Sequence, residues 1–85
     1  MSDKFIVIGS NSFSGATFIR FLLVKGHEVI GVSRSQEPNV AFLPYKWLKG
    51  EQNRFRFQQA DLNHDLGKLI KMIAREQPSY IVNFA

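Results

Sequence analysis

The chain has 85 residues, a net charge of +4, 45% hydrophobic residues and no cysteine, which bounds it to at most one small globular domain without a disulfide scaffold or thiolate metal site. No apolar run reaches the roughly 18 residues of a membrane-spanning helix, and Met1 to Lys4 lead into the first strand with no cationic leader or apolar h-region, so the cytoplasm is the expected compartment and no membrane partner is expected. The basic balance raises nucleic acid as a partner, but Lys25, Arg34, Lys46, Lys49, Arg54, Arg56, Lys68, Lys71 and Arg75 are scattered, without a basic helix or RNA-binding aromatic signature, and read as a solvated face.

Lys4-Phe5-Ile6-Val7-Ile8 is a short apolar run rich in β-branched residues that stops at Gly9, the pattern of a buried parallel strand. A turn, Gly9-Ser10-Asn11-Ser12-Phe13-Ser14-Gly15, follows at once. Ala16, Ile19, Leu22 and Leu23 then place one apolar stripe on a helix that Gly26 should end. His27 to Val32 reads as a second strand, parallel to the first through a right-handed crossover. A helix N-terminus behind such a turn offers free backbone N–H groups and a positive dipole end, which suits a phosphate or pyrophosphate. In that reading Gly9 permits the sharp turn and Gly15 lets the helix pack close against the strand. Ser10, Asn11, Ser12 and Ser14 supply caps or phosphate donors. The competing reading is a turn that binds nothing, because a lone glycine fingerprint is a weak signal.

Ser33-Arg34 ends the second strand where the adenosine ribose sits in a dinucleotide fold. An acidic residue there favours NAD, whereas an arginine accommodates a 2′-phosphate, so Arg34 points to NADP, with NAD second. The alternative is an exposed loop cation. Glu37-Pro38-Asn39 is a turn, Val40 to Leu43 is apolar, and Tyr45 to Lys49 is compatible with a short helix stopped by Gly50. Tyr45 and Trp47 are expected to pack on the sheet rather than stack on a base. Arg54 to Gln58 alternates as a third strand, and Asp61 beyond it is suited to capping the next turn. Leu66, Leu69, Ile70 and Ile73 mark one face of a further helix that Pro78 ends, with Lys68, Lys71 and Arg75 on the other face. His27 and His64 read as loop or cap residues, since neither has a ligand partner at metal-binding spacing. Ser79 to Ala85 reads as a fourth buried parallel strand.

Glycines at 9 and 15 fit the outer positions of G-x-x-G-x-x-G, and this stretch resembles the cofactor-binding start of the extended short-chain dehydrogenase/reductases, the branch of nucleotide-sugar epimerases and dehydratases. The family's middle glycine falls on Ser12. A side chain there either weakens pyrophosphate binding or replaces the lost contact with a hydroxyl donor. The resemblance implies a Rossmann-like doubly wound α/β parallel sheet, here partial, with four strands in the order 3-2-1-4 and flanking helices. It implies that Asp61-Leu62 is the pair whose aspartate contacts the adenine amino group, and that Asn83-Phe84-Ala85 is the turn bordering the cofactor ribose. The implied cofactor-binding set is therefore Gly9, Ser10, Asn11, Ser12, Phe13, Gly15, Ser33, Arg34, Asp61, Leu62, Asn83, Phe84 and Ala85.

The family's catalytic Tyr-x-x-x-Lys pair would lie beyond Ala85. Tyr45 and Lys49 have that spacing but fall between the second and third strands, at the adenosine end, and read as coincidence. The chain is thus expected to be the N-terminal portion, residues 1–85, of an NADP-preferring epimerase or dehydratase that acts by transient hydride transfer on a nucleotide sugar. Alone, it is expected to be inactive. A fold ending at the fourth strand leaves the central strand's neighbour side exposed, so self-association, with a homo-oligomer as one outcome, or poor solubility is expected unless a partner or the missing half covers it. Two other readings stand beside this one: a non-catalytic NADP-binding regulatory module, and an interaction fragment with no retained cofactor site.

Overall fold

The computed structural model describes residues 3–38, 43–47 and 54–84. In chain order the elements are β1 (Lys4–Ile8), α1 (Phe13–Val24), β2 (Glu28–Ser33), a 3₁₀ turn (Pro44–Trp47), β3 (Phe55–Gln59), α2 (Leu66–Glu76) and β4 (Tyr80–Asn83). The four strands form one parallel sheet in the order β3-β2-β1-β4, as expected. Strands β2 and β3 each start one residue later than the sequence pattern suggests. The expected apolar segment at Val40, Ala41 and Phe42, and the expected helix end at Lys49 and Gly50, lie outside the described residues.

Alternation along β1 divides the core in two, because successive side chains point to opposite faces. Val7 joins Ala16, Ile19, Leu22 and Leu23 of α1, with Val29, Leu43 and Tyr45, on one face. Ile6 and Ile8 join Ile30, Val32, Ala60, Leu69 and Met72 on the other. The stripe expected on α1 is thus the buried one. Helix α1 ends as its glycine suggests: Gly26 has φ of 88°, its N–H donates to the Leu23 carbonyl, and that of His27 reaches the Leu22 carbonyl. This pair of bonds is a Schellman stop. His27 also accepts the Asp3 N–H at Nδ1, 3.0 Å away.

Helix α2 departs from its pattern. Leu69 and Met72 are buried and Ile73 is partly so, but Leu66 and Ile70 are 55% and 57% exposed. Lys68, Lys71 and Arg75 line one flank of the helix beside Gln58 of β3, which turns the opposite flank, with Leu66 and Ile70, toward β4. No described element covers that side. For the same reason β4 is an edge strand with Tyr80 and Ile81 about half exposed, rather than the buried strand its composition suggests. Its apolar residues match a sheet that has neighbours on both sides.

Glu76 fastens the end of the molecule where the strands begin. Its carboxylate takes Lys4 Nζ at 3.2 Å, Arg56 at 2.7 and 3.1 Å, and Arg75 Nε at 3.1 Å, joining the end of α2 to β1 and β3. Hydrogen bonds from Arg56 outweigh partial burial, and with those from Arg75 and Lys4 they hold the carboxyl at about 2, below its ordinary 4.5. No described helix is long and apolar enough to cross a membrane.

Candidate functional site

A parallel sheet brings every strand's C-terminal end to one edge, and here a groove of about 550 Å³ opens along it. The β1–α1 turn contributes Gly9, Asn11 and Ser12, and the end of β2 contributes Ser33 and Arg34. Asp61, Leu62 and Asn63 come from beyond β3, and Phe84 from beyond β4.

The turn is built from its own atoms. Gly9 has φ of 85°, a conformation that suits glycine. Its N–H and that of Ser10 both donate to the Val32 carbonyl, at 2.7 and 3.1 Å, which ties the end of β1 to β2. A Cβ at Gly15 would stand 2.3 Å from the Gly9 carbonyl oxygen, so the first turn of α1 lies directly on the turn before it. Ser12 is the N-cap: its hydroxyl donates to the Gly9 carbonyl at 2.8 Å and accepts the Gly15 N–H at 3.0 Å. That settles the role of its side chain within the fold, since the hydroxyl proton is already used internally. Phe13 and Ser14 are the first residues of α1, whose N–H groups have no intrahelical acceptor. Together with the helix dipole, and with no acidic residue in the first turn of α1, they make this helix end electropositive, directly behind the turn that lines the groove.

The far end offers acceptors. Asp61 is held by the turn it begins: Oδ1 takes the Asn63 N–H at 2.8 Å, and its own N–H donates to Asp65 Oδ2 at 2.9 Å. Its other carboxylate oxygen has no hydrogen-bond partner among the described residues. The capping role and a binding role are therefore compatible in one residue. Arg34 is exposed at the rim, and its carbonyl accepts Gln59 Nε2 at 3.1 Å.

Eight of the residues expected to bind a cofactor line this groove: Gly9, Asn11, Ser12, Ser33, Arg34, Asp61, Leu62 and Phe84. Ser10 does not. It is fully buried, its Cβ packed where Gly31 of β2 leaves room, and its hydroxyl has no hydrogen-bond partner among the described residues. Gly15 acts through packing. Phe13 is 79% exposed and Asn83 is exposed opposite Ile8, both outside the lining. Ala85 lies outside the described residues. Sequence reasoning missed Ile8, Ala60 and Asn63. Each follows from position alone: the last residue of the central strand, the first beyond β3, and the second after the turn-forming Asp61.

Tyr45 is part of the core on the α1 face of the sheet. It is 1% exposed, packs on Phe55 with ring centroids 4.4 Å apart, and donates its hydroxyl to Glu37. Burial, then the hydrogen bond to Glu37 and its negative charge, push the phenol far above its ordinary value. Lys49 and the side chain of Trp47 lie outside what the structure describes.

The family model described as GDP-mannose 4,6-dehydratase matches residues 6–85. Among solved structures, dTDP-glucose 4,6-dehydratase from Bacillus anthracis in complex with NAD superposes with a TM-score of 0.78 at 20% identity, over 99% of this chain and 27% of that one. UDP-glucose 4-epimerase from Bifidobacterium longum, in complex with NAD+ and UDP, gives 0.71 at 20% identity, over 96% of this chain and 24% of that one. A 4-hydroxyisoleucine dehydrogenase complexed with NADH gives 0.71 at 20% identity, over 99% of this chain and 34% of that one. The chain therefore spans 24–34% of the length of these proteins. Among curated proteins, none matches it.

Proposed function

The chain belongs to the GDP-mannose 4,6-dehydratase family, and on that premise we propose that it is the cofactor-binding portion of an NADP-preferring nucleotide-sugar epimerase or dehydratase. The observation that carries this is the polarity of the groove. The N-terminus of α1, whose first amides lack intrahelical acceptors, follows directly on the turn that lines the groove with Gly9, Asn11 and Ser12; an arginine stands at the end of β2, and a carboxylate with one unpartnered oxygen beyond β3.

In this reading the amides of Phe13 and Ser14 hold the pyrophosphate, where the backbone is most electropositive. Arg34 pairs with the adenosine 2′-phosphate through charge-assisted hydrogen bonds. Asp61 accepts the adenine amino group, with Leu62 beside it. The neighbours' bound NAD, NADH and UDP support a dinucleotide and a nucleotide-linked substrate for such a fold. When bound, the nicotinamide supplies a hydride acceptor, and later donor, for a carbon of the sugar. In this reading the residues of this chain bind and orient the cofactor rather than move the hydride.

Calorimetric titration with NADP and NAD, on the natural chain and on Arg34→Ala, tests the reading. Tighter binding of NADP is expected. A lost charge-assisted pair at an exposed arginine corresponds to about a tenfold loss, confined to NADP. Equal binding of the two dinucleotides by the natural chain would remove the NADP preference, and no binding of either by a folded chain would remove the cofactor reading.

A further inference from the structure

The segment that carries Arg34 is held in place by side chains from its two neighbours in the sheet. Asn11, in the β1–α1 turn, points its amide nitrogen at the Gln36 carbonyl (2.9 Å), the Ser35 carbonyl (3.2 Å) and Ser35 Oγ (3.4 Å). Gln59, at the end of β3, donates to the Arg34 carbonyl. Three successive carbonyl oxygens, at 34, 35 and 36, are therefore occupied by amide donors. Carbonyl oxygens are negative dipole ends and repel an anion, so drawing them onto donors leaves the arginine as the dominant charge that this segment shows the groove.

The orientation of Asn11 follows from its surroundings, since the opposite amide placement would set oxygen against those same acceptors. Its Oδ1 is buried without a hydrogen-bond partner. The residue thus bears a desolvation cost on one side of its amide while the other side holds the loop.

Resting on the reading of Arg34 given above, we propose that Asn11 is a positioning residue for recognition of a ribose 2′-phosphate: it couples the pyrophosphate-facing turn to the loop that reads the second phosphate. Asn11 touches the loop and acts through Arg34. Removing it lets the 35 and 36 carbonyls swing free and the guanidinium wander.

The test is a double-mutant cycle of Asn11→Asp and Arg34→Ala on the 85-residue chain. NADP and NAD affinities are read by NMR titration up to millimolar ligand, and folding is checked by circular dichroism. Asn11→Asp keeps the size but sets a carboxylate against those carbonyls. It should lower the NADP-to-NAD affinity ratio about fivefold in the natural background and leave it unchanged once Arg34 is alanine. If Asn11→Asp does not fold, Gln59→Ala, which frees the 34 carbonyl from an exposed site, should lower the ratio in the same Arg34-dependent way. An Arg34 effect on the ratio without an Asn11 or Gln59 effect overturns this proposal and leaves the function standing. No Arg34 effect on the ratio, or no binding of either dinucleotide by the natural chain, overturns both.

Discussion

The same substitution, glycine to alanine, should have opposite signs at two helix positions. Gly15 and Gly67 both lie in the first turn of a helix, α1 and α2, where alanine is favoured over glycine by up to about 1 kcal/mol. At Gly67 a Cβ meets nothing within 4 Å, so Gly67→Ala should gain about 0.5–1 kcal/mol. At Gly15 the Cβ would stand 2.3 Å from the Gly9 carbonyl oxygen and 2.9 Å from Ser12 Oγ. The first of these is backbone, already held by the Ser12 N–H and hydroxyl, so it cannot rotate away. Relief means lifting the first turn of α1 and losing the Ser12 cap, about 1 kcal/mol, on top of about 1–3 kcal/mol of overpacking. After the propensity gain, Gly15→Ala should cost about 1–3 kcal/mol. With a slope of about 1 kcal/mol per molar urea for so small a chain, the midpoint falls by about 1–3 M. Urea unfolding followed by circular dichroism separates the two cases. A Gly15→Ala chain as stable as the natural one would refute the close approach of α1 to its turn, and with it the account of why that helix end faces the groove.

Three further outcomes are expected. Glu76 has its folded pKa lowered to about 2 from 4.5, so its contribution is fully present above about pH 5 and is lost as pH falls toward 2. Because Arg56 and Arg75 are largely exposed, that contribution is about 1 kcal/mol after screening, and Glu76→Gln should flatten this part of the stability profile while costing stability at neutral pH. Gln77 caps α2 with φ of 47°, a conformation that costs a side-chain residue about 1 kcal/mol, so Gln77→Gly should raise Tm; an unchanged or lower Tm would count against the left-handed cap. Ile81→Lys puts a charge on the unpaired edge strand, and sedimentation at high protein concentration should show less self-association than for the natural chain; equal association would place the contact elsewhere.

Local chemistry was readable in the sequence, and chemistry that depends on a neighbouring strand was not. Gly9, Gly15 and Gly26 announced their roles because each is set by the turn or helix it belongs to. The strand order also followed, since short β-branched runs separated by helical stripes admit few arrangements. Ser10 and Asn11 look alike in sequence, yet one is buried where Gly31 leaves room and the other reaches across to Ser35 and Gln36. Both partners are more than 20 positions away, and no local pattern encodes them. On α2 the stripe gave the helix correctly but not which part of it is covered. Leu66 and Ile70 share the apolar face with Leu69, and their exposure depends on what stands beside β4.

The central strand also sets an order of assembly. Strand β1 pairs with β2 across a separation of about two dozen residues, but with β4 across 75, as Phe5 opposite Tyr80 shows. Loop-closure entropy rises with that separation, so β1, α1 and β2 are expected to come together early and β4 to add late. On a ribosome, where the amino-terminal half emerges first, β1 waits with one side open until residues 80–83 appear. That open side is apolar on both faces, so the slowest contact in the sheet is also the one that shields its middle.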